Sequence, residues 1–267
     1  MPAAGEVLAR FSYAMTHRSD DLSRHTLRLT LGDALVPAIL LLPKDPEGRR
    51  PAALLLHGYA SHKERMAYTI GRALAVRGVA ALAIDLPLHG ERDAPLQRES
   101  LLDPFALMSH WRLALEECAA ALQWLSDHEC CDESRLAIVG YSLGAYIAVA
   151  AAQNTRVRAV VLAAGGDLPL GTPLERLVRS IADPLTAVRR IAGRPLLMMH
   201  GRFDRTVRPA DADRLFKAAG EPKEMRWWKS GHILPVKAVE DAASWLVQQL
   251  HSPMSARRSE RRLAASD

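Results

Sequence analysis

A serine flanked by glycines is the first feature of this sequence that could do chemistry. Gly140, Ser142 and Gly144 belong to the pentapeptide G-Y-S-L-G, which follows an apolar run ending at Val139 and opens a segment of helical spacing at Leu143. A serine on such a sharp strand-to-helix turn needs strained backbone, and small neighbours let other segments approach it. The helix N-terminus beside it favours developing negative charge. The pattern predicts that Ser142 is a nucleophile, since a serine that only caps the helix would explain neither glycine.

An acid and a base that could activate this serine follow later in the chain. A serine hydroxyl is a poor nucleophile at neutral pH and needs a general base, which itself needs an orienting partner. Asp204 follows the apolar run Pro195–Met199, and His232 follows the strand-like run Glu224–Lys229. Both residues therefore lie just past the end of a predicted strand, at the edge where α/β proteins place their binding loops.

Other acids and another histidine in this region leave alternatives open. Asp211 and Asp213 fall in the predicted helix after Asp204, where an acid is expected to serve the helix dipole or to face solvent. Asp183 precedes a proline. His251 lies at the polar end of the last predicted helix and is interpreted as a surface residue.

The elements that must position these residues alternate along the chain. Two early segments separated by Gly32-Asp33 predict a β-hairpin. The predicted strands are His25–Leu31, Ala34–Leu42, Ala52–Leu56, Val79–Leu86, Arg135–Val139, Val157–Ala164, Pro195–Met199 and Glu224–Lys229. The predicted helices are Lys63–Arg77, Pro104–Asp127, Leu143–Gln153, Pro209–Ala219 and Val236–Leu250. This order predicts an α/β fold with a mostly parallel, doubly wound sheet of about eight strands and helices on both faces.

One connection is longer than a plain crossover helix needs. The segment Gly165–Arg194 contains three prolines around one helix-like stretch, Leu174–Ile181. Because ligands bind outside the carboxyl ends of the strands, we expect this insert to form a small lid over the pocket. An ordinary long connection is the alternative.

The order and context of these residues resemble the α/β-hydrolase family. In that family a serine on a strand-to-helix turn is followed in the chain by an acid and then by a histidine. The resemblance covers nearly the whole chain and implies that Ser142 is the nucleophile, Asp204 the orienting acid and His232 the general base.

The resemblance also implies two hydrogen-bond donors for an oxyanion. One is the N–H of Leu143, directly after the nucleophile, and the other is the N–H of Tyr59 in the family's H-G-x element. His57, which opens that element, is interpreted as a brace for the loop. His57, His62 and His89 lack the spacing of metal ligands, so we expect neither a metal nor a cofactor.

Within the family, H-G-Y followed by Lys63-Glu64 resembles the dienelactone-hydrolase-like and small carboxylesterase branch. Dienelactone hydrolases use a cysteine nucleophile, and the serine in this sequence therefore implies a carboxylesterase. The short insert favours small-molecule esters with short acyl chains. A thioesterase or amidase on the same residues, and a binding protein of this fold without turnover, are the alternatives.

Composition excludes several other classes. The net charge is +5, and the basic residues form no stripe with interleaved aromatics, which argues against nucleic acid. Three cysteines do not make a disulfide framework, and no apolar run is long enough for a membrane span. No secretory signal is recognisable, so we expect a cytoplasmic protein. Residues 1–251 are expected to form one domain, followed by a basic, disordered tail at 252–267.

Overall fold

The structure is a computed structural model that describes residues 11–19, 22–31, 34–44, 48–92, 103–171 and 173–252. Its described strands form one nine-stranded sheet. They are β1 (Phe11–Ser19), β2 (Leu22–Leu31), β3 (Ala34–Pro43), β4 (Arg50–Leu56), β5 (Ala80–Ile84), β6 (Cys131–Tyr141), β7 (Ala159–Ala163), β8 (Leu196–Gly201) and β9 (Lys223–Trp228). The mostly parallel sheet that the sequence predicts is confirmed.

The sheet has the strand order β1-β2-β3-β5-β4-β6-β7-β8-β9. Strand β2 is antiparallel to both β1 and β3, and β3 is also antiparallel to β5. All pairs from β5 to β9 are parallel. In the predicted hairpin Leu31 pairs with Ala34, which is the register of a two-residue loop, although Gly32 and Asp33 lie outside the described residues. Strand β1 is an addition to the eight predicted strands.

Seven helices complete the described part of the chain. Helix α1 runs from Lys63 to Ala75 and is built from Lys63–Met66, a π-helical stretch Ala67–Gly71, and Arg72–Ala75. The others are α2 (Pro104–Asp127), α3 (Leu143–Ala152), α4 (Pro173–Ala182), α5 (Pro184–Arg190), α6 (Pro209–Ala218) and α7 (Val236–His251). Asp103 caps α2 by accepting a hydrogen bond from the Phe105 N–H, with Pro104 as the first helical residue.

The two faces of the sheet are covered by different sets of helices. Helices α2 to α6 pack on one face and are called the five-helix layer below, while α1 and α7 form the two-helix layer on the other face. Successive strand residues alternate between the layers, as a pleated strand requires. Met198 packs in the five-helix layer and Met199 in the two-helix layer, for example.

The insert 165–194 contains two helices where the sequence predicted one. Helix α5 begins after Asp183, whose side chain accepts a hydrogen bond from the Thr186 N–H. This cap explains why an acid precedes Pro184. Both helices pack in the five-helix layer, against α2, α3 and α6. The role of the insert as a lid stays a prediction.

Other predictions of domain organisation also stay predictions. The described chain ends at Ser252, so the basic tail from residue 253 onward lies outside the described residues. Among the helices that the structure does describe, none has the length and apolar character to span a bilayer.

Candidate active site

Ser142 occupies a strained turn between β6 and α3. Its φ is 52° and its ψ is −115°, a region that residues with a side chain rarely adopt. The Ser142 N–H donates to the Ala163 carbonyl at the end of β7, 2.8 Å away, which ties the turn to the neighbouring strand. The serine is 9% exposed at the carboxyl edge of the parallel strands. It lies where the sequence placed it.

The two glycines around Ser142 are required by close packing of backbone. A Cβ on Gly140 would overlap with the backbone of Gly144, and a Cβ on Gly144 would overlap with the carbonyl of Leu56 in β4. The turn can therefore be this tight only because both positions lack a side chain.

The structure brings Ser142, His232 and Asp204 into one hydrogen-bonded chain. His232 Nδ1 lies 2.8 Å from Asp204 Oδ2, and His232 Nε2 lies 2.9 Å from Ser142 Oγ. A carboxylate can only accept, so Nδ1 carries the proton of the neutral ring and Nε2 is free to accept the serine proton. This is the geometry that a histidine base requires.

Asp204 is held from its other side by backbone and by a second histidine. Its Oδ1 accepts hydrogen bonds from the N–H groups of Thr206 and Val207, at 2.8 and 3.0 Å. The buried His200 places Nε2 3.4 Å from Asp204 Oδ2 and 2.9 Å from the Val207 carbonyl. Burial lowers the pKa of His200, so its ring is neutral near pH 7 and adds no charge beside the carboxylate. Sequence reasoning missed His200.

The rival residues have other partners. Asp211 is buried and pairs with Arg208 and Arg214, whereas Asp213 pairs with Lys217 on the surface of α6. His251 is exposed, with Nδ1 2.9 Å from the Val247 carbonyl of the preceding helical turn.

Tyr141 holds the histidine loop and was also missed by sequence reasoning. Its hydroxyl donates to the His232 carbonyl at 2.6 Å and accepts from the Leu234 N–H at 3.2 Å. Its ring also contacts the His232 ring edge-on, with centroids 6.0 Å apart. The residue directly before the serine therefore positions the histidine.

The two residues predicted to bind an oxyanion, Tyr59 and Leu143, lie in segments next to Ser142. A Cβ on Gly58 would lie 3.3 Å from the Cβ of Ser142, so the loop after β4 passes directly beside the serine. The Leu143 N–H is the first of α3 and has no acceptor within the helix. Their role as donors to an oxyanion stays a prediction.

His57 braces the loop after β4. Its Nε2 accepts a hydrogen bond from the Leu86 N–H at 3.0 Å, which leaves Nδ1 to donate to the Gly58 carbonyl at 2.8 Å. Burial lowers the pKa of His57 to about 4, so the ring is neutral at pH 7. Two strand-end loops are thereby joined next to the serine.

A buried ion pair supports the same loops. Lys63, at the start of α1, donates through Nζ to Asp85 Oδ2 at 2.8 Å and through its backbone N–H to Asp85 Oδ1 at 2.7 Å. Lys63 Nζ also lies 2.8 Å from Glu91 Oε1. Lys63 and Asp85 are 1% and 0% exposed, and sequence reasoning did not predict their pairing.

A cavity of about 610 Å³ opens at Ser142 and His232. It extends into the two-helix layer, between the sheet, α1 and α7. The walls include Val139, Val161 and Met199 from the sheet, Met66 and Ile70 from α1, and Ala238, Val239 and Ala242 from α7. None of the described residues of the insert 165–194 lines this cavity.

No group of acidic, histidine or cysteine side chains within the described ranges could hold a metal ion. His57, His62 and His89 therefore do not combine into a metal site there. His89 instead places Nδ1 2.8 Å from the Pro87 carbonyl, within its own loop.

Comparison with known proteins identifies the family. The model of the α/β-hydrolase family matches residues 53–265. The chain therefore belongs to the α/β-hydrolase family, as the resemblance implied.

Individual relatives are distant. A polyketide transferase from Stachybotrys chlorohalonatus is 29% identical over 156 residues, which are 58% of this chain and 50% of that protein. An uncharacterised protein from Mycobacterium tuberculosis is 29% identical over 191 residues, 68% of this chain and 62% of that protein. The chain thus spans between half and two thirds of the length of these relatives.

Solved structures with the same fold include esterases. Acetyl xylan esterase 1 from Thermoanaerobacterium sp. superposes with a TM-score of 0.75 at 18% identity, over 91% of this chain and 89% of that one. A cold-adapted esterase from an Arctic intertidal metagenomic library superposes with a TM-score of 0.71 at 20% identity, over 88% and 99%. At these identities the similarity establishes the fold.

Proposed function

We propose that this protein is a serine hydrolase that cleaves carboxylic esters of small molecules. Ser142 is the nucleophile, His232 the general base and Asp204 the acid that orients the histidine. The observation that carries the proposal is the continuous chain of hydrogen bonds from Asp204 Oδ2 through His232 to Ser142 Oγ, at 2.8 and 2.9 Å. Esterases among the proteins of the same fold are consistent with it.

The first half of the reaction acylates the enzyme. Ser142 Oγ attacks the ester carbonyl carbon while its proton passes to His232 Nε2, which gives a tetrahedral oxyanion. The N–H groups of Tyr59 and Leu143 donate to that oxyanion. The bond from carbon to the alcohol oxygen then breaks, and His232 gives its proton to the leaving alcohol.

The second half releases the acid. A water molecule attacks the acyl carbon and loses a proton to His232 Nε2. The bond to Ser142 Oγ then breaks, the proton returns to the serine, and a carboxylic acid leaves. Asp204 stabilises the imidazolium in both halves without taking the proton.

A serine substitution tests this function. We expect Ser142→Ala to lower kcat for p-nitrophenyl butyrate by several orders of magnitude, up to about 10⁶. Ser134→Ala is the matched control, because Ser134 is exposed near the other end of β6 and should leave kcat unchanged. A fluorophosphonate reagent should label the wild-type protein and the Ser134→Ala variant but not Ser142→Ala. Folded Ser142→Ala protein that still hydrolyses the ester would overturn the proposal.

The leaving group needs a separate comparison, because thioesters and amides can react on the same residues. The ester, thioester and amide of one acyl group should be compared by kcat/KM. The proposal requires the ester to be turned over repeatedly, which a binding protein would not do. The short acyl chains predicted from the insert are no part of this proposal, because none of the residues that the structure describes in the insert lines the cavity at Ser142.

A further inference from the structure

We propose that the cavity in the two-helix layer receives a long or bulky apolar group of the substrate, so that the preferred esters are hydrophobic rather than acetate-like. This inference rests on the proposed function and names its substrate class. The volume of about 610 Å³ falls within the range of pockets that enclose a whole small ligand, roughly 300–1,000 Å³. An acetyl group would leave most of that space empty.

The chemistry of the inner wall selects an apolar group. The sheet contributes Val139, Val161 and Met199, each no more than 4% exposed, and α1 contributes Ile70. These side chains offer neither a charge nor a hydrogen bond. A polar group bound there would lose its water without gaining a partner, whereas an apolar group gains by burial.

Polar lining residues lie toward the mouth. Arg65 and Thr69 of α1 line the cavity and are exposed, and the reacting groups of Ser142 and His232 stand at the opening. The mouth is also flanked by Ile233, which is 69% exposed. An ester held at Ser142 can therefore keep its polar bond at the mouth while one of its two substituents enters the apolar interior.

Small residues on α7 leave the space open. Ala238 and Ala242 lie one helical turn apart on the face that lines the cavity. Because α7 begins just after His232 and runs away from it, Ala238 lies nearer to the mouth and Ala242 lies deeper. The two alanines therefore mark successive depths along the path of the substituent.

The inference reverses the expectation of short acyl chains. That expectation depended on the small size of the insert 165–194, which packs in the five-helix layer. The cavity lies on the other face of the sheet, and the described part of the insert contributes none of its lining residues.

Two series of esters test the inference. One series lengthens the acyl chain of a methyl ester from acetate to octanoate, and the other lengthens the alcohol of an acetate ester from methyl to octyl. In one series we expect kcat/KM to rise about fourfold with each added methylene until the cavity is filled. The series that rises identifies the substituent that enters. A flat profile in both series would overturn the inference while leaving the proposed function intact.

Filling the cavity from α7 should shorten the preferred chain. The comparison uses the series in which kcat/KM rises with chain length. Ala242→Leu should lower the ratio of kcat/KM for its eight-carbon ester to that for its shortest ester about tenfold or more. Ala238→Leu should shift the chain length with the highest kcat/KM to still shorter chains. Ser244→Leu adds the same side chain to an exposed position of the same helix and should leave the profile as in the wild type. Ile70→Ala enlarges the opposite wall and should extend the optimum, which keeps the test open if a leucine variant does not fold. Unchanged profiles in all folded cavity variants would overturn the inference.

A binding measurement separates this inference from the proposed function. The Ser142→Ala protein should bind 1-octanol more tightly than 1-butanol, by about fourfold per methylene, with a negative heat-capacity change in calorimetry. This result does not require turnover, so it holds even if no ester is hydrolysed. Equal binding of both alcohols would count against the cavity as a site for apolar groups.

Discussion

The two helix layers cover the same strands but differ in how completely they fill the space. Met198 and Met199 are neighbours in β8, and each is 1% exposed, yet only Met199 borders the cavity at Ser142. The five-helix layer brings α3 so close to the sheet that Gly144 has no room for a Cβ. One face of the sheet therefore packs tightly around the turn that carries Ser142, whereas the other face borders the cavity in which we propose that the substrate binds.

The largest expected effect compares a glycine from each layer. A methyl group on Gly144 would overlap with the Leu56 carbonyl. The atoms in its way belong to the backbone, so no side-chain rotation can remove the overlap. On Gly71 of α1 a methyl group would lie 3.1 Å from the Met66 carbonyl and 3.2 Å from the Leu41 and Leu55 side chains. We expect Gly144→Ala to lower the free energy of unfolding by more than about 4 kcal/mol.

Gly71→Ala is the matched control. The higher helix propensity of alanine, worth about 1 kcal/mol, offsets part of its tight contacts, so its net effect should stay within about 1 kcal/mol. Urea denaturation of both variants measures the difference. Equal losses in the two variants would mean that the layers approach the sheet equally closely.

Buried ion pairs provide the second comparison. Lys63 and Asp85 pair where the two-helix layer meets the sheet edge, and Arg92 pairs with Glu117 of α2 in the five-helix layer. Asp85→Asn leaves the buried Lys63 with Glu91 as its one charged partner among the described residues. We expect it to lower the free energy of unfolding by about 3–5 kcal/mol. Glu117→Gln keeps a hydrogen-bond acceptor for Arg92 and should lower it by about 1 kcal/mol.

The pKa values of Asp85 and Glu117 are shifted in opposite directions, so the stability of the two variants should depend differently on pH. Burial raises the pKa of Asp85, but hydrogen bonds from the Glu91 N–H and Lys63 outweigh it and hold the pKa below the ordinary 3.8. The contribution of the Asp85 carboxylate to the free energy of unfolding is therefore present above that pH and is constant from pH 5 to 8. Burial raises the pKa of Glu117, and Arg92 offsets this only in part. The contribution of Glu117 to the free energy of unfolding is complete below pH 4.5, the ordinary pKa of a glutamate. It declines as the pH rises through the higher pKa that Glu117 has in the folded protein.

Denaturation of the wild type, Asp85→Asn and Glu117→Gln across this pH range measures both effects. The advantage of the wild type over Glu117→Gln should shrink with rising pH, while its advantage over Asp85→Asn stays level. A parallel pH profile for both variants would contradict the opposite pKa shifts.

The smallest expected difference between two variants is that between the two methionines of β8. Met198→Ala removes a side chain packed on all sides and should lower the free energy of unfolding by about 2–5 kcal/mol. Met199→Ala should lower it by about 1–2 kcal/mol less, because a side chain that borders a cavity has fewer packing partners to lose. Chemical denaturation of the pair provides the measurement. A greater loss for Met199→Ala would show that the two-helix layer is the better packed one.

Features determined by neighbouring residues were predictable from the sequence. The helix Pro104–Asp127 has the predicted bounds because Asp103 and Pro104 mark its start. The places of Ser142, Asp204 and His232 at strand ends follow from alternating elements. The roles of these residues in catalysis remain predictions.

Features determined by contacts between distant segments were not predictable. The Tyr141 hydroxyl reaches the backbone of His232 across 91 positions of the chain, and nothing near Tyr141 in the sequence indicates that partner. The cavity depends on side chains from the sheet, α1 and α7 that fail to fill the space between them. A pattern of apolar residues predicts burial, but it does not reveal where packing stops.

The π-helical stretch Ala67–Gly71 in α1 places Ile70 on the cavity wall. Such a stretch accommodates one residue more than a regular helical turn, and π-bulges occur frequently at functional sites. Deletion of one residue from this stretch would convert it to regular α-helix. The side chains before the deletion would then be rotated about the helix axis relative to those after it. Substrate range in proteins of this architecture can therefore diverge through single-codon insertions or deletions in a wall helix, with the reacting residues left in place.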